Sequence, residues 1–102
     1  MNSASSGWYV YLIRNRSGAL YCGISTDVIR RFREHNASGP RAARALRGKG
    51  PLSLEFSQLI GSRSQALKME YRIKRLPKLM KEAVIARGKL PEPLHSLAKG
   101  SC

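Results

Sequence analysis

A chain of 102 residues with 19 Lys+Arg against 6 Asp+Glu, a formal charge of +13, implies one small domain of two or three packed layers. The charge excess points to a polyanionic partner, nucleic acid first, because each phosphate neutralised releases counterions. It speaks against a membrane-surface binder, whose basic residues would gather on one amphipathic helix instead of being spread along the chain, and the two cysteines, Cys22 and Cys102, form neither a disulfide framework nor a zinc cluster.

Residues 1–7, MNSASSG, are small and polar, lack the charged and apolar regions of a signal peptide, and are expected to be disordered. Trp8 to Arg14 reads as a strand apolar on both faces, with Tyr9, Tyr11 and Ile13 on one side and Trp8, Val10 and Leu12 on the other, hence an interior strand. Asn15-Arg16-Ser17-Gly18 supplies a turn, and Ala19 to Ile24 the return strand of a hairpin, Tyr21 and Gly23 sharing a face. Ser25 or Thr26 caps a helix that runs to about Asn36, with Asp27 complementing its dipole. Val28, Ile29 and Phe32 are its expected buried stripe, and Arg31 and His35 share the neighbouring one.

Arg41 to Arg47 reads as a cationic helical turn, and Gly48-Lys49-Gly50-Pro51 as a mobile basic loop without the spacing of a P-loop. A third strand covers Leu52 to Ile60, with Leu54, Phe56 and Gln58 on one face. Ser62 and Gln65 form a capping box for a helix over Arg63 to Leu76, which buries Ala66, Met69, Ile73 and Leu76. Pro77 starts a last helix that buries Leu79, Met80, Ala83 and Val84 and is capped by Gly88. Residues 88–102 read as a flexible tail after a domain at 8–87, and no run approaches membrane-spanning length. The order β-β-α-(α)-β-α-α defines an α+β fold, a small three-stranded, mostly antiparallel sheet flanked by helices.

Few residues can bind a hard cation, which takes oxygen ligands. Of the six carboxylates, Asp27 belongs to a helix start, Glu82 pairs with Lys78, Glu55 lies mid-strand, Glu34 is on a polar helix side and Glu92 is in the tail. Glu70, at the edge of a buried stripe, is as well explained by an i,i+4 pair with Lys74 as by a ligand role. The strand tyrosines read alone as packing, and Arg31 and His35 alone as a basic helix face.

Taken in order, Tyr9-Val10-Tyr11, Tyr21-Cys22-Gly23, Arg31, His35 and Glu70 resemble the GIY-YIG nuclease superfamily. The stretches RRFREH, ALRGKGPL and ALKMEYRIK resemble its small stand-alone bacterial members, and the likeness spans Trp8 to Ala86. It implies Tyr11, Tyr21, Arg31, His35 and Glu70 as catalytic residues, Glu70 as the ligand of one Mg2+ or Mn2+, and Gly23 as a structural motif position. Arg31, with Arg30 beside it, stands at the family arginine. Two positions depart from the motif: Tyr9 replaces its first glycine and Cys22 its second isoleucine.

The implied mechanism has a tyrosine, Tyr11 before Tyr21, take a proton from the attacking water, with Arg31 stabilising phosphoryl charge and His35 orienting tyrosine or water. Arg30, Arg41, Arg44, Arg47, Lys49 and Lys74 are the expected nucleic-acid contacts. The expectation is a divalent-metal-dependent endonuclease of the bacterial cytoplasm, in DNA repair or a related process. It would act on DNA, with RNA as a second substrate class, through structure or single-strand preference. It needs neither a membrane nor an organic cofactor. The alternative is a nucleic-acid-binding module of the same fold that cuts weakly or not at all. A ribosome-associated basic protein would explain the charge but not the ordered Tyr, Tyr, Arg, Glu set.

Overall fold

The structure, a computed structural model, describes residues 7–91. Strand β1 (Trp8–Arg14) lies between β2 (Leu20–Ser25) and β3 (Ser53–Gly61), antiparallel to both, in a three-stranded sheet of order β2-β1-β3. A central strand covered on both faces must be apolar on both, which is why β1 shows no polar alternation. Val10 and Leu12 enter a core with Cys22, Phe56, Ala66, Met69 and Ile73, beneath α2 (Arg63–Lys74) and α3 (Lys78–Arg87). Tyr11 and Ile13 enter a second core with Val28 and Leu46, beneath α1 (Val28–Asn36). The Asn15 side-chain carboxamide oxygen accepts from the Ser17 and Ala19 amides, 2.9 and 3.1 Å, and Gly18, at φ +92°, closes the β1–β2 turn.

Local corrections to the expected pattern have physical causes. Asp27, not Ser25 or Thr26, is the N-cap of α1 and accepts from the Arg30 amide, while the Ser25 hydroxyl accepts from the Asp27 amide. Packing of α1 on β1 and β2 turns Ile29 outward, 54% exposed, and His35 inward, fully buried. The stripe is therefore Val28, Phe32 and His35, spaced four and three residues apart. In β3 the pairing runs Leu12 with Phe56 but Ile13 with Leu54, so Glu55 is an extra residue that moves Leu54 to the α1 side, away from Phe56.

Helix α3 buries Val84 against the α2-side core and leaves Leu79 80% exposed and Met80 exposed as well. Its anchor is electrostatic: Arg14 donates two 2.7 Å hydrogen bonds to Glu82 and lies 3.5 Å from Glu55. Neither carboxylate is therefore the isolated or merely Lys78-paired group expected. The Ser62–Gln65 capping box and the left-handed Gly88 cap form as expected. Leu90 is buried in the α2-side core, its amide 3.3 Å from the Gln58 side-chain oxygen, so core packing continues past α3. Residues 1–6 and 92–102, including the start of the expected disordered segment and most of the expected tail, lie outside the described residues.

Candidate active site

The site grows from the interior face of β1. Tyr11 is 2% exposed, and its hydroxyl lies 3.0 Å from Nε2 of the fully buried His35. The other ring nitrogen, Nδ1, faces the backbone amide of Ala43 at 3.1 Å. A backbone N–H can only donate, so Nδ1 is the acceptor and the neutral imidazole carries its proton on Nε2. His35 therefore donates to the Tyr11 oxygen, leaving the phenol proton free to point elsewhere. Burial first, then the Arg31 charge, holds the His35 pKa down at about 4, partly opposed by Glu34, which keeps the ring neutral near pH 7.

Strand register delivers the second tyrosine. Tyr11 stands opposite Gly23 across the β1–β2 ladder, and the Tyr11 ring lies over that glycine. A Cβ at Gly23 would overlap the Tyr11 hydroxyl and come within 2.6 Å of Cζ, so any larger residue displaces the ring. Tyr21, two residues earlier on the same face, completes a ring cluster: its centroid is 6.5 Å from that of Tyr11 and 5.5 Å from that of His35, edge-on to the imidazole. Burial pushes both phenols above their ordinary pKa of 10.0. Tyr21 adds to the rise at Tyr11.

Arg31 is a fixed guanidinium. It donates to Glu34 at 2.8 Å and to the Arg41 carbonyl at 2.7 Å, and its charge opposes the rise of the Tyr11 pKa. Glu34 also receives Arg30 at 3.2 Å and lies 3.7 Å from Arg41, and these cations, Arg31 foremost, lower its pKa. Sequence reasoning passed over Glu34, although its spacing of three residues from Arg31 and four from Arg30 signalled the pairing. The Ala43 amide left no such signal, because any residue but proline supplies it.

Glu70 stands on α2, on the opposite face of the sheet from the tyrosine cluster. Helix α2 packs on edge strand β2, and the charges of Glu70 and Lys74 both act on Tyr21 and on Cys22, whose side chains point to opposite faces. The Glu70 carboxylate lies 3.3 Å from Lys74, so the helical pair foreseen as one of two readings is formed. No cluster of three or more His, Cys, Asp or Glu side chains occurs among the described residues. A single partly buried carboxylate fits a hard cation that keeps water and phosphate oxygens in its other positions, not one caged by protein.

The expected nucleic-acid contacts divide by how firmly they are held. Arg30, Arg41 and Lys74 are paired to carboxylates, and Arg47 braces its own loop through the Ala42 and Pro40 carbonyls. Arg44 and Lys49 are exposed. The loop expected to be mobile is fastened: the Lys49 carbonyl accepts from the Arg16 amide, the Gly48 amide donates to the Ser38 hydroxyl, and the Leu52 amide donates to the Asn36 side-chain oxygen.

The profile of the GIY-YIG catalytic domain matches residues 7–83. The chain belongs to the GIY-YIG family. The GIY-YIG chain is 56% identical over 81 residues to a UPF0213 protein of Citrobacter koseri, covering 79% of each. It is 51% identical over 89 residues to the UPF0213 protein YhbQ of Salmonella typhimurium, covering 87% of each. The solution NMR structure of a UPF0213 protein from Bacillus halodurans superposes with a TM-score of 0.52 at 30% identity, covering 89% of this chain and 95% of that one. The GIY-YIG domain is a nuclease-type catalytic domain. Where the first GIY-YIG motif has glycine, Tyr9 helps line a groove with Thr26, Asp27, Val28, Ile29 and Ser57. No helix among the described residues is long and apolar enough to cross a membrane.

Proposed function

We propose that this protein is a divalent-metal-dependent endonuclease that hydrolyses DNA phosphodiester bonds, with preference for branched or single-stranded structure. The observation that carries the reading is the hydrogen-bonded chain from the Ala43 amide through His35 to Tyr11, beside the Arg31 charge. A packing tyrosine needs one hydrogen-bond partner. This one has a donor of fixed tautomer and a cation, an arrangement that favours developing negative charge on its oxygen.

In this mechanism Arg31, oriented by Glu34 and the Arg41 carbonyl, binds a phosphoryl oxygen through its planar fork. Tyr11 takes the proton of the attacking water as it passes its own phenol proton, which His35 leaves free, to a phosphoryl oxygen of the substrate, and negative charge developing on its oxygen is stabilised by the His35 Nε2–H and the Arg31 charge. Both tyrosines are protonated in the unliganded protein, so Tyr11 works as a proton relay and not as a preformed phenolate. Tyr21, held edge-on to His35, positions the phosphate or water. Glu70 would hold one Mg2+ or Mn2+, which when bound supplies Lewis-acid stabilisation of phosphate charge. The Lys74 ammonium must leave Glu70 for that role and is then free for the nucleic-acid backbone.

The Glu70–Lys74 pair also favours a second reading, a nucleic-acid-binding module that cuts little because its carboxylate stays engaged. Incubating the protein with plasmid, single-stranded and branched DNA and with RNA, in Mg2+ or Mn2+, separates the two. The nuclease reading expects cutting that Arg31→Ala and Glu70→Ala abolish. Binding without cutting leaves the module.

A further inference from the structure

The outer face of α2 carries an exposed aromatic-basic surface outside the tyrosine cluster. Tyr71 is 61% exposed and Leu67, one turn earlier, is 39% exposed. With Lys68 and Arg72 they line a shallow groove of about 280 Å³. The Arg75 guanidinium lies 5.3 Å from the centroid of the Tyr71 ring. Helical side chains lean toward the N-terminus, so Arg75 covers the ring from its C-terminal side and Leu67 and Lys68 border it from the other. One aromatic face is thus backed by a cation, and the other opens on a groove with an apolar floor and cationic rim.

We infer that this groove is a base-stacking subsite for single-stranded nucleic acid. Charge selects the occupant: Lys68, Arg72 and Arg75 have no acidic partner among the described ion pairs, so the rim attracts a polyanion. A flat ring on Tyr71, with phosphates along the cations, satisfies the aromatic and basic parts together. Tyr71 follows Glu70 in the chain, about 100° round the helix, so a strand lying across Glu70 continues onto this face. The inference rests on the reading of nucleic acid as the partner and not on cleavage.

The test is fluorescence anisotropy in EDTA, which removes any contribution from cutting, with labelled oligothymidylate and an abasic oligomer of equal length. Tyr71→Ala should weaken oligothymidylate binding roughly ten-fold and leave abasic binding unchanged, while Tyr71→Phe retains the affinity. Exposure of the side chain keeps the fold intact in both variants, which circular dichroism verifies. An unchanged oligothymidylate affinity in Tyr71→Ala, or an equal loss on both oligomers, overturns stacking alone. So does polyglutamate binding that falls by the same factor, or sedimentation in which Tyr71→Ala dissociates a dimer, since the face would then belong to an acidic peptide or a second copy. Wild-type protein that binds neither oligomer overturns the nucleic-acid reading itself.

Discussion

Acid should destabilise this protein through His35 before the Arg31–Glu34 and Arg14–Glu82 pairs lose their contributions. The imidazole is fully buried and accepts from the Ala43 amide, and protonation would set two donors against each other. The groups facing it are Tyr11 from β1, Tyr21 from β2, and Arg31 and Glu34 from its own helix. Its pKa is lowered from 6.5 to about 4, first by burial and then by Arg31. A lowered folded pKa means that the unfolded chain takes up the proton first. The stability contribution is therefore complete above 6.5 and lost as pH falls through the window toward 4. Each pH unit in that window costs ~1.4 kcal/mol, so going from about pH 7 to about pH 5 costs ~2 kcal/mol. Glu34 and Glu82 are both lowered from 4.5, chiefly by their arginine partners, so their own contributions are present above that value and are lost only as pH falls from it. Urea unfolding followed by Trp8 fluorescence, across that range, reads the change. His35→Gln, which does not titrate, should be less stable near neutrality but lack that slope. A wild-type stability flat across the range, or an equal slope in His35→Gln, would refute the reasoning.

Three further outcomes follow from the same geometry. Gly23→Ala forces a Cβ into the Tyr11 ring, so it should cost about 1–3 kcal/mol in chemical denaturation and lower cleavage by displacing the hydroxyl; unchanged stability and activity would show the ring free to move. Ala43→Pro suits the backbone there, at φ −59°, but deletes the amide hydrogen that His35 accepts. Nitrogen NMR of His35 should then show the Nε2–H tautomer no longer dominant, with cleavage down roughly five-fold, as for one lost hydrogen bond of ~1 kcal/mol; an unchanged tautomer would mean that Tyr11 alone sets it. Lys74→Met releases Glu70, so the metal concentration for half-maximal cleavage should fall while affinity for DNA drops modestly. A rise in the metal requirement would count against competition at Glu70.

Periodicity made the frame legible, and its failures were local. The two-faced apolar pattern of β1 located the central strand, and Ser62–Gln65 located the start of α2. Leu54 was misplaced because an inserted residue, Glu55, is invisible to a period of two. Ile29 and His35 exchanged roles because a histidine with both nitrogens bonded fits a buried stripe that hydrophobicity alone assigns to isoleucine. Leu79 and Met80 were assigned to a core that α3 reaches through Val84, the helix being secured by the Arg14–Glu82 pair, whose partners lie 68 residues apart. The tyrosines, Arg31, His35 and Glu70 were readable as an ordered set. The backbone donor at Ala43, which fixes the tautomer, was not.

The proposed mechanism requires Glu70 and the tyrosine cluster to form one reaction centre. The most direct test measures binding and cutting of one DNA substrate side by side, in wild-type protein and in Glu70→Ala. Glu70→Ala should bind at least as tightly, since it removes a negative charge beside Lys74, and should cut at least about a hundred-fold more slowly. Cutting that survives Glu70→Ala at the wild-type rate would show that Glu70 has no part in the chemistry, and wild-type protein that binds this DNA and never cuts it would show that it is not a nuclease.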